Sequence, residues 1–235
     1  MVNMKALNNT KQKDLNALNT EIFEIIGHIV SSFSSPIRLK IIQILANSEY
    51  SVEELSLETG ESIANISQHL QRLAKVKIVS CQKKGVSRIY KIHNPKVLEL
   101  CEKLFDLAHE IENELDIKED LLTNTSLLSS SETDKILDLV SNDKATLLDV
   151  RTAKESNATL VPGAIALPLI NLKKAITKNE IELSKSKPIY VYCRGRYCNS
   201  ATDAVKFLRT QGYKAYRLRE SPFKLRTSQE CIIET

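Results

Sequence analysis

Cys193 and Cys198 enclose a short basic loop, CRGRYC, which ends the apolar run PIYVYC and precedes the helix-like stretch NSATDAVKFLRT. A cysteine placed this way lies over a helix N-terminus, where free amide N–H groups and the helix dipole favour an anion. The pattern predicts a depressed pKa for Cys193, helped by Arg194 and Arg196, and hence a nucleophile at neutral pH. Gly195 lets the backbone curl with no side chain in the way. Four chemistries compete for such a loop. A phosphatase-like cradle needs an arginine six residues after the cysteine to grip phosphate through paired hydrogen bonds, and that position is Asn199. A zinc site needs two more ligands nearby, and none is in sight. A disulfide between Cys193 and Cys198 is compatible with the spacing. A sulfurtransferase needs one thiolate and an amide cradle for the terminal sulfur of a persulfide, which the loop supplies. Cys198 reads either as a resolving thiol for Cys193 or as a loop residue with no redox role; two thiols bracketing one basic loop favour the former.

The elements around the loop alternate in kind. SETDKILDLVSN, INLKKAIT and NSATDAVKFLRTQG have helical spacing, whereas ATLLDV, AIALP, PIYVYC and KAYRLR are short buried strands. Strand–helix alternation predicts a small α/β domain with a mainly parallel sheet over residues 132–235. A Thr/Asn/Ser-rich stretch at 121–131 predicts a linker.

Residues 15–120 follow another pattern. Residues 1 to about 14 are polar and expected to fray, and Leu18, Ile22, Ile25, Ile26 and Ile29 then recur at helical spacing. Pro36 opens a second helix, with Ile37, Leu39, Ile41, Ile42 and Leu45 expected largely in the core. SVEELSLETG predicts a helix capped by Ser51 with Glu54 and stopped by Gly60. A third helix buries Ile63, Ile66, Leu70 and Leu73, and KIVSCQKKGVSRIYKIH reads as two strands around a Lys-Lys-Gly turn. A long amphipathic helix from Pro95 to about Leu115 closes this half. Two short helices and a basic hairpin form the layout of a mainly α winged helix-turn-helix. Its open recognition face carries Ala64, Asn65, Ser67, Gln68, Gln71 and Arg72, groups that suit base edges in a major groove. Lys83, Lys84 and Arg88 on the hairpin would reach the flanking backbone or minor groove.

Charge supports this division. Residues 31–98 carry a net +5 and residues 99–120 a net −7, within a chain of net charge +4. That places one face toward phosphates and another away from them. The absence of Trp argues against stacking on single-stranded bases. No run reaches the length of a membrane span, the N-terminus lacks a signal-peptide core, and five scattered cysteines fit a reducing compartment. The expectation is a cytoplasmic protein that does not meet the membrane.

PIRLKIIQILA, SVEELSLETG, SIANISQHLQRL and KKGVSRIYKI resemble, in order and spacing, the ArsR family of bacterial repressors over roughly residues 20–115. The resemblance implies a homodimer on double-stranded DNA and makes His69 a recognition-helix residue, turned either to phosphate or into its own domain. Metal-sensing relatives carry a Cys-x-Cys pair where this chain has EELSLE, so that site is absent. A second known site on the last helix leaves only weak metal candidates, Asp106, His109 and Glu112. Oxidant-sensing relatives use an early and a late cysteine; Cys101 could be the late one, but none precedes Cys81, which reads as a half-buried strand residue.

LLDVRTAKE, VPGAIALPL and YCRGRYCNSATDAV resemble the rhodanese fold over about residues 128–222. That resemblance implies a persulfide on Cys193 and no other cofactor, loop amides from residues 194–198 including Tyr197, and a charged pair, Asp149 and Arg151, bracing the site. The usual Gly-His is Thr159-Leu160 here, and the usual Gly and Trp after the last strand are Ser221 and Leu225. The expected function is a DNA-binding regulator, as a repressor, coupled to sulfur transfer or reactive-sulfur sensing, with a donor such as thiosulfate and a thiol acceptor. Two alternatives are a metabolic sulfurtransferase that uses the winged helix only to dimerise, and a repressor whose silent rhodanese domain binds an oxyanion.

Overall fold

A computed structural model describes the backbone of residues 4–233 and the side chains of residues 15–229. Contacts divide the chain into two compact units, Met1–Ile42 with Glu49–Pro95, and Gln43–Ser48 with Lys96–Thr235.

The first unit runs α1 (Met4–Val30), a short 3-10 turn (Ser31–Phe33), α2 (Pro36–Leu45), β1 (Tyr50–Ser51), α3 (Val52–Thr59), α4 (Ile63–Lys75), β2 (Val79–Lys84) and β3 (Ser87–Ile92). Its three strands are antiparallel in the order β1-β3-β2. This is the winged helix that the sequence predicts. α3 begins on a complete capping box: Ser51 Oγ accepts from the Glu54 amide at 3.1 Å, and Glu54 Oε2 accepts from the Ser51 amide at 2.7 Å. Gly60, at φ 75°, ends it in the left-handed region, where a Cβ is costly. α4 presents Ile66, Leu70 and Leu73 to the core, each fully buried.

Several expectations change here. The polar stretch expected to fray is helical from Met4, and residues 1–3 lie outside the described residues. Ile63 is 53% exposed, because it sits in the first turn of α4, before that helix meets the core. Ile37 and Leu39 are only half-buried, whereas Ile41, Ile42, Ile44 and Leu45 fill the interior. Cys81 is exposed on the wing. The apolar stripe of α1 forms a helix face as expected, yet Leu18, Ile22, Ile25, Ile26 and Ile29 stay 41–65% exposed.

The second unit runs α5 (Lys96–Ile111), α6 (Glu114–Thr123), a 3-10 turn (Thr125–Leu127), α7 (Thr133–Ser141), β4 (Thr146–Asp149), α8 (Ala153–Thr159), β5 (Ala164–Ala166), α9 (Leu169–Thr177), β6 (Ile189–Tyr192), α10 (Ser200–Thr210), β7 (Ala215–Arg217) and α11 (Pro222–Ile233). Its four strands are parallel in the order β5-β4-β6-β7. α9 and α10 cover one face, with Leu148, Ile189, Val191, Cys193, Val205 and Leu208 in one core. On the other face Leu147, Tyr190 and Tyr192 join Ile136 and Leu137 of α7 and Leu225 of α11 in a second core.

The expected linker at 121–131 is built into this unit. Thr123 and Leu127 are buried, the Thr202 hydroxyl donates to the Thr123 carbonyl, and the Ser129 amide donates to the Arg217 carbonyl at 3.0 Å. Side-chain and backbone hydrogen bonds to α10 and β7 outweigh a composition that reads as loop. The contact boundary therefore falls at Pro95/Lys96 rather than at residues 120–121. The single helix expected from Pro95 to about Leu115 is two, since Glu112 Oε1 accepts from the Glu114 amide and restarts the chain as α6.

Ser51→Ala removes the capping box and is expected to cost about 1 kcal/mol of first-unit stability. Urea denaturation followed by circular dichroism measures it, and an unchanged midpoint would mean that the cap is redundant.

Candidate functional site

β4 and β6 lie side by side, with the chain leaving β4 toward β5 and β6 toward β7. Their carboxyl ends thus lie at the switch point of the sheet, the usual place for a site in such folds. Cys193 follows β6 directly and Asp149 ends β4.

The loop after Cys193 is folded by contacts on both sides. Gly195 takes φ 113°, and a Cβ there would come within 3.2 Å of Ser221 Cβ and 3.3 Å of its Cα. Glycine is required on both counts. The Cys198 amide donates to the Gly195 carbonyl at 3.2 Å, which turns the chain back over Cys193. Arg217, the last residue of β7, is fully buried beneath it, and its Nη2 donates to the carbonyls of Arg196 at 2.7 Å and Gly195 at 3.4 Å. With loop carbonyls aimed at Arg217, amides face the sulfurs: Ala201 toward Cys193, and Arg194 and Ser200 toward Cys198.

The two thiols behave as a pair. Cys193 is 1% exposed, its Sγ lies 3.3 Å from the Cys198 carbonyl oxygen, and its thiol hydrogen-bonds the Cys198 sulfur. Burial drives the Cys193 pKa well above the ordinary thiol value, reinforced by Cys198 and opposed by the Ala201 amide and Arg217. Cys198 is half-buried and is pulled down to about 5, first by the hydrogen bond from Cys193 and then by the amides of Arg194 and Ser200. The pair is electrostatically coupled, and burial of Cys193 together with the donors on Cys198 favours the thiolate on the outer sulfur. The expected depressed pKa of Cys193 is therefore corrected: the helix N-terminus does stabilise a thiolate, but complete burial assigns it to the outer sulfur.

The expected role of Arg194 and Arg196 also changes. Arg194 Nε pairs with Glu155 at 2.6 Å, and Glu155 is itself fixed by a capping box with Thr152. Arg196 Nη2 pairs with Asp106 of α5 at 2.9 Å. Both guanidinium groups anchor the loop, while Arg217 is the cation that acts on Cys193. The Tyr197 hydroxyl shares a hydrogen bond with His109 Nε2 at 2.9 Å, and the rings stack at 6.0 Å with Phe105 edge-on. Ser221, at the position where the rhodanese pattern has Gly, donates to Glu102 at 2.6 Å, and Leu225 is fully buried.

Asp149 and Arg151 form a fully buried pair at 2.6 Å. The Tyr192 hydroxyl donates to Asp149 at 2.8 Å, and Arg151 donates to the Thr159 hydroxyl at 2.8 Å and carbonyl at 3.0 Å. Tyr192 belongs to the core opposite that of Cys193. The pair thus braces the strand ends from the other face and does not touch the thiols, which makes both residues positioning rather than catalytic groups.

The metal candidates Asp106, His109 and Glu112 are not brought together. Asp106 serves Arg196, while His109 lies with Asp116 and Glu119, whose ligand atoms fall within 4.8 Å of one another. Glu119 is fully buried, with Arg219 Nε 2.9 Å and Arg196 Nη1 3.8 Å from its carboxylate. Two guanidinium groups on that carboxylate fit an ion-pair cluster rather than a cation site. Cys101 is buried in α5 and pushed up to about 12 by burial, then by Glu102, so it is not a reactive thiol. Arg217, Glu155 and Glu119 were not anticipated. A signal existed for Arg217: alternation in KAYRLR puts it on the same face as buried Ala215.

On α4, Ala64, Gln68, Gln71 and Arg72 are exposed, and Asn65 and Ser67 are half-buried. Asn65 Nδ2 donates to Glu61 at 2.7 Å. His69 is half-buried, its Nδ1 is enclosed without a partner, and burial with Arg38 and Arg72 nearby lowers its pKa. A neutral, inward ring fits the reading of His69 as a residue turned into its own domain. Lys83 and Arg88 are exposed on the wing, and Lys84 pairs with Glu49 at 2.8 Å.

Residues 132–222 match the family model described as rhodanese-like domain, and residues 35–80 that described as bacterial regulatory protein, arsR family. The HTH-type transcriptional regulator Rv0324 of Mycobacterium tuberculosis is 29% identical over 213 residues, covering 87% of this chain and 88% of the relative. The uncharacterized HTH-type transcriptional regulator Rv0081 of the same organism is 31% identical over 91 residues, 38% of this chain and 74% of the relative. The solution structure of a homodimeric winged helix-turn-helix DNA-binding domain from Mycobacterium bovis covers 39% of this chain and 84% of its own, at 24% identity and a TM-score of 0.37. Among the described residues no helix is long and apolar enough to cross a membrane.

A thiol whose pKa is lowered is an anion above the shifted value and protonated below it. Alkylation of Cys198 by iodoacetamide should hold its rate from neutral pH down to about 5 and fall only below that. A rate that declines through the ordinary thiol range near 9.0 would refute the thiolate on Cys198.

Proposed function

Since this chain belongs to the arsR family of bacterial regulatory proteins and carries a rhodanese-like domain, we propose that it is an operator-binding repressor whose second unit takes up sulfane sulfur as a persulfide on Cys193. The observation that carries the sulfur half is the thiol pair at the end of β6, set among amides of the first turn of α10 and above a buried arginine. An anionic sulfur chain fits such a cradle, because each added negative sulfur meets N–H donors that are already oriented. A donor such as thiosulfate would lose its outer sulfur to Cys193 and leave as sulfite, and a thiol acceptor would remove the sulfur again.

The DNA half rests on α4 and the wing. Gln68, Gln71 and Arg72 stand on the open face of α4, and Lys83 and Arg88 extend the positive surface along β2 and β3. In this reading α4 enters the major groove and the wing follows the backbone. The exposed apolar stripe of α1 supports a homodimer, since Ile22, Ile25, Ile26 and Ile29 leave a continuous apolar face in water when the chain is alone. Two copies would set two α4 helices against two half-sites.

Arg72→Ala and Lys83→Ala should each weaken operator binding across sequences and reduce the slope of log affinity against log salt by about 1. Fluorescence anisotropy at several salt concentrations reads this, and unchanged affinity in both variants would remove the DNA half. Cys193→Ser should abolish the gain of one sulfur seen by intact-mass spectrometry after thiosulfate. Equal gain in variant and parent would remove the persulfide assignment.

A further inference from the structure

We infer that Cys198 is a second reacting thiol of this site, which resolves a persulfide on Cys193 into a Cys193–Cys198 disulfide and releases hydrosulfide. The inference rests on the reading of Cys193 as the sulfur carrier and adds the fate of that sulfur when no acceptor arrives.

Three features of the loop carry it. The turn closed by the Cys198 amide on the Gly195 carbonyl folds the loop back, so that the Cys193 thiol meets both the carbonyl and the sulfur of Cys198. Cys198 packs against the same core that encloses Cys193, so its sulfur has a fixed place beside it rather than a free one in solvent. The Cys198 sulfur also receives the Arg194 and Ser200 amides and the Ser200 hydroxyl, which hold it as an anion ready to attack. A cysteine that only filled space would not need three donors.

The steps balance without an outside oxidant. When Cys193 attacks the outer sulfur of thiosulfate, its proton passes to the Cys198 thiolate, a sulfur–sulfur bond forms to Cys193, and sulfite leaves with the electron pair of the broken bond. Cys198, giving that proton to the terminal sulfur, then attacks Cys193 Sγ. The bond between Cys193 Sγ and the terminal sulfur breaks, and its electron pair leaves with hydrosulfide. Two thiols are oxidised to a disulfide, and one zero-valent sulfur is reduced to sulfide. The step runs forward because hydrosulfide is small and diffuses out of the loop, whereas Cys198 is held in place and closes the disulfide.

The experiment uses the full chain, reduced and then treated with thiosulfate without acceptor thiol, and follows intact mass and released hydrosulfide. The parent should gain one sulfur transiently, then settle two hydrogens below its starting mass with hydrosulfide released. Cys198→Ser should keep the added sulfur at least about tenfold longer and release none. Non-reducing peptide mapping of the parent needs no variant and should find Cys193 linked to Cys198. A parent that holds its added sulfur as long as Cys198→Ser, with no linked peptide, overturns the inference and leaves the carrier reading standing. If neither protein takes up sulfur, the carrier reading fails and this inference fails with it.

Discussion

A guanidinium sealed under a loop decides which way that loop's peptide groups point. Arg217 has no exposed surface, and its Nη2 donates to two successive loop carbonyls, those of Gly195 and Arg196. The amides that face the sulfurs are those of Arg194 and, in the first turn of α10, of Ser200 and Ala201. Arg217 Nε and Nη1 are enclosed without hydrogen-bond partners, which is costly for a charged group unless anionic sulfur nearby offsets it. The cation beneath and the thiolate above are therefore two halves of one electrostatic arrangement. Glu119 adds a further anionic partner for Arg217, and backbone amides add to the stabilisation of the thiolate.

Around that arrangement, three carboxylates hold the rim. Glu155 takes Arg194, Asp106 takes Arg196, and Glu119 lies between Arg196 and Arg219. Two of these come from the acidic helices that follow the winged helix, whose net negative charge the sequence displays as a block. That block neutralises a basic loop in its own unit, through Asp106 and Glu119. The exposed pairs among these contribute little stability each. Their value is geometric: they tie Arg194 and Arg196 outside the loop, as His109 ties Tyr197.

The sequence makes visible whatever depends on local chemistry. The capping box of Ser51 and Glu54, the stop at Gly60, the strand–loop–helix around Cys193 and the turn at Gly195 all follow from residue type and spacing. What it conceals depends on partners far apart in the chain. Arg217 and Arg196, or His109 and Tyr197, are joined only by folding. The stretch at 121–131 reads as linker because Ser, Thr and Asn bond backbone as readily in a buried turn as in a loop. The sequence places the low thiol pKa on Cys193 rather than Cys198 for a similar reason. The amide cradle is local and legible, but which sulfur lies deeper is a property of the packed core.

α5 carries the residues that meet Tyr197 and Arg196, and only His93–Pro95 separate it from β3 of the wing. Coupling between two events on one element is reciprocal: if a change at the thiols shifts the resting position of α5 by some free energy, anything else that shifts α5 alters the thiol equilibrium by the same amount. The reduction potential of the sulfur pair is then not a constant of the loop. It becomes a readout of whatever else holds that helix.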